Sequence, residues 1–104
     1  MAEKMKILVV EDEMVIAMNL TLILENLGYE VVGPASNFEE AIEELEVEVP
    51  DLAILDVNLE GVKSGIDVAN HINDHYSIPF IYLTSNSDSV TVNSAKATKP
   101  DSYL

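Results

Sequence analysis

The stretch Leu52-Ala53-Ile54-Leu55-Asp56 decides how this chain folds, because it is a short apolar run that ends in a carboxylate. Two other apolar runs end in a similar way. Residues 7–10 are followed by Glu11 and Asp12, and residues 80–83 are followed by Thr84. Short runs that are apolar throughout are typical of strands buried on both faces of a parallel sheet. Ligands bind at the carboxyl ends of such strands, so the sequence predicts a site that contains these side chains.

The acids at this predicted edge are Glu11, Asp12 and Asp56. Clustered carboxylates repel one another, and a cation relieves that repulsion. Mg²⁺ is the expected cation, because this hard ion takes one or two carboxylates together with phosphate oxygens.

The composition indicates one folded domain with an acidic surface. The chain has 104 residues, of which 48% are hydrophobic, and its 19 acidic and 5 basic residues give a formal charge of −14. This charge disfavours direct binding of nucleic acid or of anionic membrane surfaces. The sequence has no apolar stretch of membrane-spanning length, no secretory signal pattern and no cysteine. These features predict a cytoplasmic protein without membrane insertion.

Strand and helix patterns alternate along the chain, joined by short connections. Strands separated by single helices form βαβ units, which predict a parallel sheet covered on both faces. The predicted strands are residues 6–10, 29–33, 52–56, 80–84 and a fifth from 102, and the predicted helices begin near residues 13, 38, 65 and 88.

The first helix is predicted over residues 13–27, with Gly28 ending it. Helical spacing predicts that its buried stripe consists of Ile16, Leu20, Ile23, Leu24 and Leu27. Its remaining apolar residues lie off that stripe, and they are Met14, Met18 and Leu22. Ser64 is predicted to cap the third helix, with Asp67 as its capping-box partner.

Five segments of the chain occur in a specific order and spacing. They are Ile7-Leu8-Val9-Val10-Glu11-Asp12-Glu13, Asp51-Leu52-Ala53-Ile54-Leu55-Asp56-Val57-Asn58-Leu59, Gly65-Ile66-Asp67-Val68-Ala69, Ile78-Pro79-Phe80-Ile81-Tyr82-Leu83-Thr84 and Ser102-Tyr103-Leu104. Together these segments resemble the receiver domain of two-component response regulators. The resemblance implies an α/β, flavodoxin-like doubly wound parallel sheet with strand order 2-1-3-4-5, and a receiver domain over residues 1–104.

The resemblance implies a signalling module rather than an enzyme. Asp56 would accept a phosphoryl group from a phosphohistidine on a sensor histidine kinase or phosphotransfer protein, in a reaction that requires Mg²⁺. The metal ligands would be Glu11, Asp12, Asp56 and the backbone carbonyl of Asn58.

The family also implies a conformational switch and a controlled lifetime of the phosphorylated state. Thr84 matches the switch hydroxyl that turns toward the phosphoryl group, and Tyr103 matches the aromatic switch residue. Asn58 and Asn86 match positions beside the path of the hydrolytic water, so they are expected to affect the rate of dephosphorylation.

Two departures from the family pattern lie at the C-terminus. The conserved Lys that follows the switch aromatic is missing, because the sequence ends one residue after Tyr103. Lys99-Pro100 precedes Tyr103 and is not assigned to the site. The last helix is also absent, which suggests a fragment. The apolar face left without that helix is expected to cause self-association or fraying near the fifth strand.

Other functions compete with this interpretation. A pseudo-receiver that binds partners independently of phosphate is the main alternative, supported by the missing Lys. An Asp-nucleophile phosphatase of the haloacid-dehalogenase type would need an acid where Asn58 stands. Dinucleotide binding is excluded, since no Gly-rich turn follows the first strand. His71 and His75 have the i, i+4 spacing of metal ligands, but without an apparent third ligand they are interpreted as surface residues.

Overall fold

The structure, a computed structural model, describes residues 4–59 and 61–83 in full, together with the backbone of residues 102–103. Strands and helices alternate as predicted. The elements are β1 (Lys6–Val10), α1 (Met14–Asn26), β2 (Glu30–Ala35), α2 (Phe38–Val47), β3 (Leu52–Asp56), α3 (Gly65–His75), β4 (Phe80–Leu83) and β5 (Ser102–Tyr103).

The strands form one parallel sheet in the order β2-β1-β3-β4-β5. This confirms the predicted flavodoxin-like fold. Thr84, predicted as the last residue of the fourth strand, and the predicted helix near residue 88 lie outside the described residues. Among the described helices, none combines the length and the apolar character needed to cross a membrane.

The two central strands are buried on both faces, as their uninterrupted apolar sequences predict. Alternate side chains of a strand point to opposite faces of the sheet. On one face, Leu8 and Leu55 belong to the larger core beneath α2 and α3. On the other face, Val9 and Ile54 pack with Leu24 of α1. The residues that precede the carboxyl edge in β1 and β3 are therefore largely buried on both faces of the sheet.

The predicted buried stripe of α1 is wrong for most of its members. Ile16, Ile23 and Leu27 are 41%, 56% and 67% exposed, whereas the buried residues of the helix are Ala17 and Leu24. Leu20 packs against the smaller core as a partly buried residue. Because α1 carries apolar side chains around most of its circumference, helical spacing does not determine which side faces the sheet. The small side chain of Ala17 is buried on α1, where the prediction placed the larger Ile16 and Ile23.

β2 extends to Ala35, two residues further than predicted. The strand continues through Gly33, at φ +95°, and Pro34, with a shift in its register against β1 between Leu8 and Val10. Proline is tolerated here because β2 is an edge strand. The extension has a consequence for the site, since the N–H of Glu11 donates a hydrogen bond of 2.9 Å to the carbonyl of Ala35.

Both helices on the larger-core face begin at side-chain caps. The side chain of Asn37 accepts a 2.8 Å hydrogen bond from the N–H of Glu40 at the start of α2. Ser64 caps α3 as predicted: its Oγ accepts from the N–H of Ile66, and its own N–H donates to Asp67 at 2.7 Å. The Ser64 cap fixes where α3 begins, which is directly beside the end of β3.

Candidate functional site

Three carboxylates meet at the carboxyl edge of the sheet. In the parallel pairing of β1 with β3, Val10 lies opposite Leu55, so the residues that follow them reach the same edge. Carboxylate oxygens of Glu11, Asp12 and Asp56 all lie within 4.8 Å of one another. Across residues 4–59 and 61–83, this is the one group of three or more His, Asp or Glu side chains whose ligand atoms approach so closely.

Glu11 is the buried member of the cluster and is held from two directions. It is 6% exposed, and its backbone is tied to β2 through Ala35. Its carboxylate accepts a 3.0 Å hydrogen bond from the N–H of Glu13 at the entrance to α1. Burial and these bonds restrict the side chain to the space beside Asp56.

Asp56 is partly buried and is oriented by the loop that follows it. Its Oδ1 accepts a 3.2 Å hydrogen bond from the N–H of Asn58. The loop then returns to the strand end, where the N–H of Gly65 donates to the carbonyl of Val57 at 2.9 Å. α3 therefore begins against the backbone of Val57, the residue that follows Asp56.

Burial and the neighbouring acids raise the proton affinity of Glu11 and Asp56. Burial raises the pKa of Glu11 to about 7; the N–H of Glu13 acts against this change, and the charge of Asp56 adds to it. Burial also raises the pKa of Asp56, opposed by hydrogen bonds from Glu11 and from the N–H of Asn58. Without a bound cation, the pair of Glu11 and Asp56 therefore favours retaining a proton.

The donor set fits a hard divalent cation. The three side chains of the cluster, Glu11, Asp12 and Asp56, all offer carboxylate oxygens, and the chain contains no cysteine to supply a softer ligand. Mg²⁺ and Ca²⁺ prefer oxygen ligands. A cation among these oxygens would offset the burial and the mutual repulsion that raise the pKa of Glu11 and Asp56.

This electrostatic arrangement predicts that added Mg²⁺ stabilises the fold more at pH 8 than at pH 5. The pKa of Glu11 is raised in the folded state, so the folded metal-free protein binds more protons than the unfolded chain between pH 4.5 and about 7. The contribution of Glu11 to stability is thus fully present below pH 4.5 and is lost as the pH rises through about 7. We expect a loss on the order of 2 kcal/mol after solvent screening.

Urea unfolding with EDTA or with Mg²⁺, at pH 5 and pH 8, measures this effect. Glu11→Gln should flatten the pH profile of the EDTA sample, because the amide does not titrate. An Mg²⁺ effect that is equal at both pH values, or a metal-free profile unchanged by the substitution, would contradict the prediction.

A cavity of about 260 Å³ opens beside the cluster on the side of α1 and β2. Its walls combine the acids Glu11 and Asp12 with apolar side chains of α1. The complete lining is Glu11, Asp12, Met14, Ala17, Met18, Pro34, Ser36 and Glu40.

The structure describes only some of the remaining predicted site residues. Asn58 lies two residues beyond Asp56 and contacts it through its backbone N–H. The backbone of Tyr103 pairs with Tyr82 in the sheet, while its side chain lies outside the described residues. Thr84 and Asn86 also lie outside them.

Sequence reasoning missed Gly65 as a residue of the site. A Cβ on Gly65 would overlap the carbonyl oxygen of Asp56 and lie 3.2 Å from the Cα of Val57. The close approach of α3 to the strand end therefore requires a residue without a side chain. One signal in the sequence could have indicated this role. Gly65 directly follows the cap Ser64, at a helix position where most residues are tolerated, so a glycine there points to a close contact.

Comparison with known proteins gives one consistent result. The family described as "Response regulator receiver domain" matches residues 7–104. Among curated proteins, the transcriptional regulatory protein PdtaR of Mycobacterium tuberculosis is 37% identical over 99 residues, which covers 95% of this chain and 48% of PdtaR. The chain spans about half the length, or less, of the curated relatives it matches.

Solved structures agree with the sequence comparisons. The signal receiver domain of a modulated diguanylate cyclase from Desulfovibrio desulfuricans G20 matches with a TM-score of 0.91 and 35% identity, over 98% of this chain and 81% of that one. A response regulator protein from Burkholderia pseudomallei, solved with a phosphorylated aspartic acid, a calcium ion and citrate, matches with a TM-score of 0.85 and 28% identity, over 97% and 59%.

Proposed function

Since the chain belongs to the response regulator receiver domain family, we propose that it is a phosphoacceptor module of two-component signalling whose acceptor is Asp56. The donor is a phosphohistidine of a sensor histidine kinase or phosphotransfer protein. The observation that carries the proposal is the cluster of Glu11, Asp12 and Asp56 at the ends of β1 and β3.

The chemistry of the transfer follows from the position of Asp56. A carboxylate oxygen of Asp56 attacks the phosphorus, the P–N bond of the phosphohistidine breaks, and the imidazole nitrogen retains the electron pair. The product is an acyl phosphate, which water can hydrolyse, so the signal is reversible. The hydrogen bond from Asn58 holds the attacking carboxylate in one orientation.

Glu11, Asp12 and Asp56, together with the backbone carbonyl of Asn58, would hold the Mg²⁺ ion. When bound, the ion supplies positive charge that offsets the charge on the phosphoryl oxygens. The residues contribute by their placement: Glu11 is fixed by Ala35 and Glu13 before any ligand arrives. The phosphorylated aspartic acid and calcium ion of the Burkholderia pseudomallei relative support this assignment.

The surface next to the cluster supports docking of a partner protein. Met14 and Met18 of α1 are mostly exposed, and both line the cavity that also contains Glu11 and Asp12. A donor helix could place apolar side chains against the two methionines while its phosphohistidine reaches Asp56. Methionine suits this contact because its flexible side chain adapts to different partners.

The direct test is incubation of the protein with a small phosphodonor, with intact-mass measurement. We expect one phosphoryl group per chain in the presence of Mg²⁺ and none with EDTA. Absence of labelling under both conditions, in protein that is folded by circular dichroism, would favour the phosphate-independent interaction module instead.

The proposal also predicts that Asn58→Asp shortens the lifetime of the phosphorylated state. Asn58 is exposed two residues from Asp56, and its side-chain amide can orient water but cannot accept a proton from it. An aspartate can accept that proton. General-base catalysis contributes about 10²–10⁴-fold at well-formed sites, so at this exposed position we expect an acceleration on the order of tenfold.

The decay is measured by intact mass after removal of the phosphodonor. Asn70→Asp is the matched control, since Asn70 is exposed on α3 and the substitution adds the same charge. An equal effect in both variants would show that only net charge matters and would overturn the role of Asn58.

A further inference from the structure

His71 and His75 form a pair on α3 that phosphoryl transfer does not use. They are four residues apart, and their ring centroids lie 4.4 Å from each other. Residues at this spacing share one face of a helix. Two histidines at i and i+4 on one helix face are also the arrangement by which helices bind Zn²⁺.

The fold supplies the third ligand that was not apparent from the sequence. A cavity of about 350 Å³ between α2 and α3 is lined by both histidines and by Glu46 of α2. Its other lining residues are Ile42 and Tyr76. A carboxylate from the neighbouring helix therefore faces the same space as the two imidazoles.

Aromatic contacts hold His71 in place. Its ring meets the ring of Phe38 edge-on, with centroids 6.2 Å apart, and the ring of Tyr76 lies at 6.1 Å. Burial lowers the pKa of His71, and the neighbouring His75 acts in the same direction, while the charges of Asp74 and Glu46 oppose it. At neutral pH the imidazole is thus in the uncharged form that binds metals.

We propose that His71, His75 and Glu46 form a site for a divalent transition-metal ion of the Zn²⁺ class, which would join α2 to α3. In the structure the ligand atoms of these three residues do not all lie within 4.8 Å of one another, so binding includes rotation of the Glu46 side chain toward the imidazoles.

The proposed site differs in chemistry from the acidic cluster. Imidazole nitrogen suits Zn²⁺, whereas carboxylate oxygen alone suits Mg²⁺. The sequence has two histidines and no cysteine, so every imidazole ligand among these 104 residues belongs to this pair. A metal bound through nitrogen can therefore be assigned to one place.

Calorimetric titration of the tag-free protein with ZnCl₂, in buffer that contains excess Mg²⁺, tests the proposal. We expect one Zn²⁺ per chain. Removing a residue that only hydrogen-bonds to a metal ligand weakens metal affinity about 10–100-fold. Removing a ligand itself should have at least that effect, so we expect His71→Gln and His75→Gln each to weaken Zn²⁺ binding by at least about tenfold. Glu46→Gln should also weaken it, and Asn70→Gln, on the same helix but outside the pair, should leave it unchanged.

A second measurement separates lost ligands from lost structure. In ¹⁵N spectra of the imidazoles, Zn²⁺ should shift both histidine signals together, whereas Mg²⁺ should shift neither. His75 is exposed, so its substitution can be made without disturbing the core. Unchanged zinc affinity in the His75→Gln variant, or zinc binding abolished by Mg²⁺, would overturn the site. Neither result depends on phosphorylation of Asp56.

Discussion

Asp56→Asn is expected to lower phosphoryl incorporation from a small phosphodonor to background. The amide has nearly the shape of the carboxylate and keeps an oxygen to accept the hydrogen bond from Asn58, but it is not a nucleophile. Loss of a nucleophile from a protease triad lowers kcat about 10⁶-fold, so we expect a decrease of at least about 10³-fold here. Intact-mass spectrometry with Mg²⁺ present measures the labelled fraction.

The same substitution removes one of the three carboxylates from the cluster. The pKa of Glu11 should therefore fall, because the charge of Asp56 contributes to its elevation. Asp74→Asn is the matched control, since Asp74 is exposed on α3 and does not belong to the cluster. If labelling persists in Asp56→Asn and is lost when a different residue is substituted, that other residue is the phosphoacceptor and the assignment of Asp56 is wrong.

The parallel sheet and the common edge of the acids could be predicted from local apolar patterns, whereas the order of the strands followed from the resemblance to receiver domains. The residues of β1 and β3 are apolar without interruption, which a sheet covered on both faces requires. Once the two strands are parallel neighbours, the residues after Val10 and Leu55 must emerge at the same edge. Glu11 and Asp56 are therefore brought together by topology alone.

The rotation of α1 could not be predicted, because its sequence gives several apolar faces with similar weight. Only contact with the sheet selects Ala17 and Leu24 over Ile16 and Ile23. The extension of β2 through Gly33 was missed for a similar reason, since glycine and proline usually end a strand. Both features depend on neighbours that are distant in the sequence.

The same limit applies to the fine structure of the candidate site. The N–H of Glu13 and the carbonyl of Ala35 fix Glu11, yet neither is a side chain that a motif could reveal. Glu46 lies 25 residues before His71, so only the packing of α2 on α3 brings it to the histidine pair. Sequence patterns therefore identify candidate ligands at both sites. Which of them are fixed in position, and which are brought together, depends on tertiary contacts.

Gly65→Ala is expected to destabilise the fold and the site together. The added methyl group would overlap the carbonyl oxygen of Asp56 and lie 2.8 Å from its carbonyl carbon. These obstacles are backbone atoms, so they cannot rotate away as a side chain would. Overpacking typically costs about 1–3 kcal/mol, and because rigid backbone is involved we expect about 3 kcal/mol or more. For a domain of this size that lowers Tm by about 12 °C or more.

Gly28→Ala is the control that separates a steric clash from backbone strain. Gly28 has φ +96°, and a Cβ added there would meet nothing within 4 Å in the described part of the chain. Alanine at this position therefore introduces strain of about 1–2 kcal/mol without a clash. Gly65→Ala should also weaken Mg²⁺ binding and slow phosphorylation, because α3 must move away from Asp56, whereas Gly28→Ala should change neither. If Gly65→Ala unfolds at the wild-type temperature and binds Mg²⁺ normally, α3 does not pack on the strand end as the structure places it.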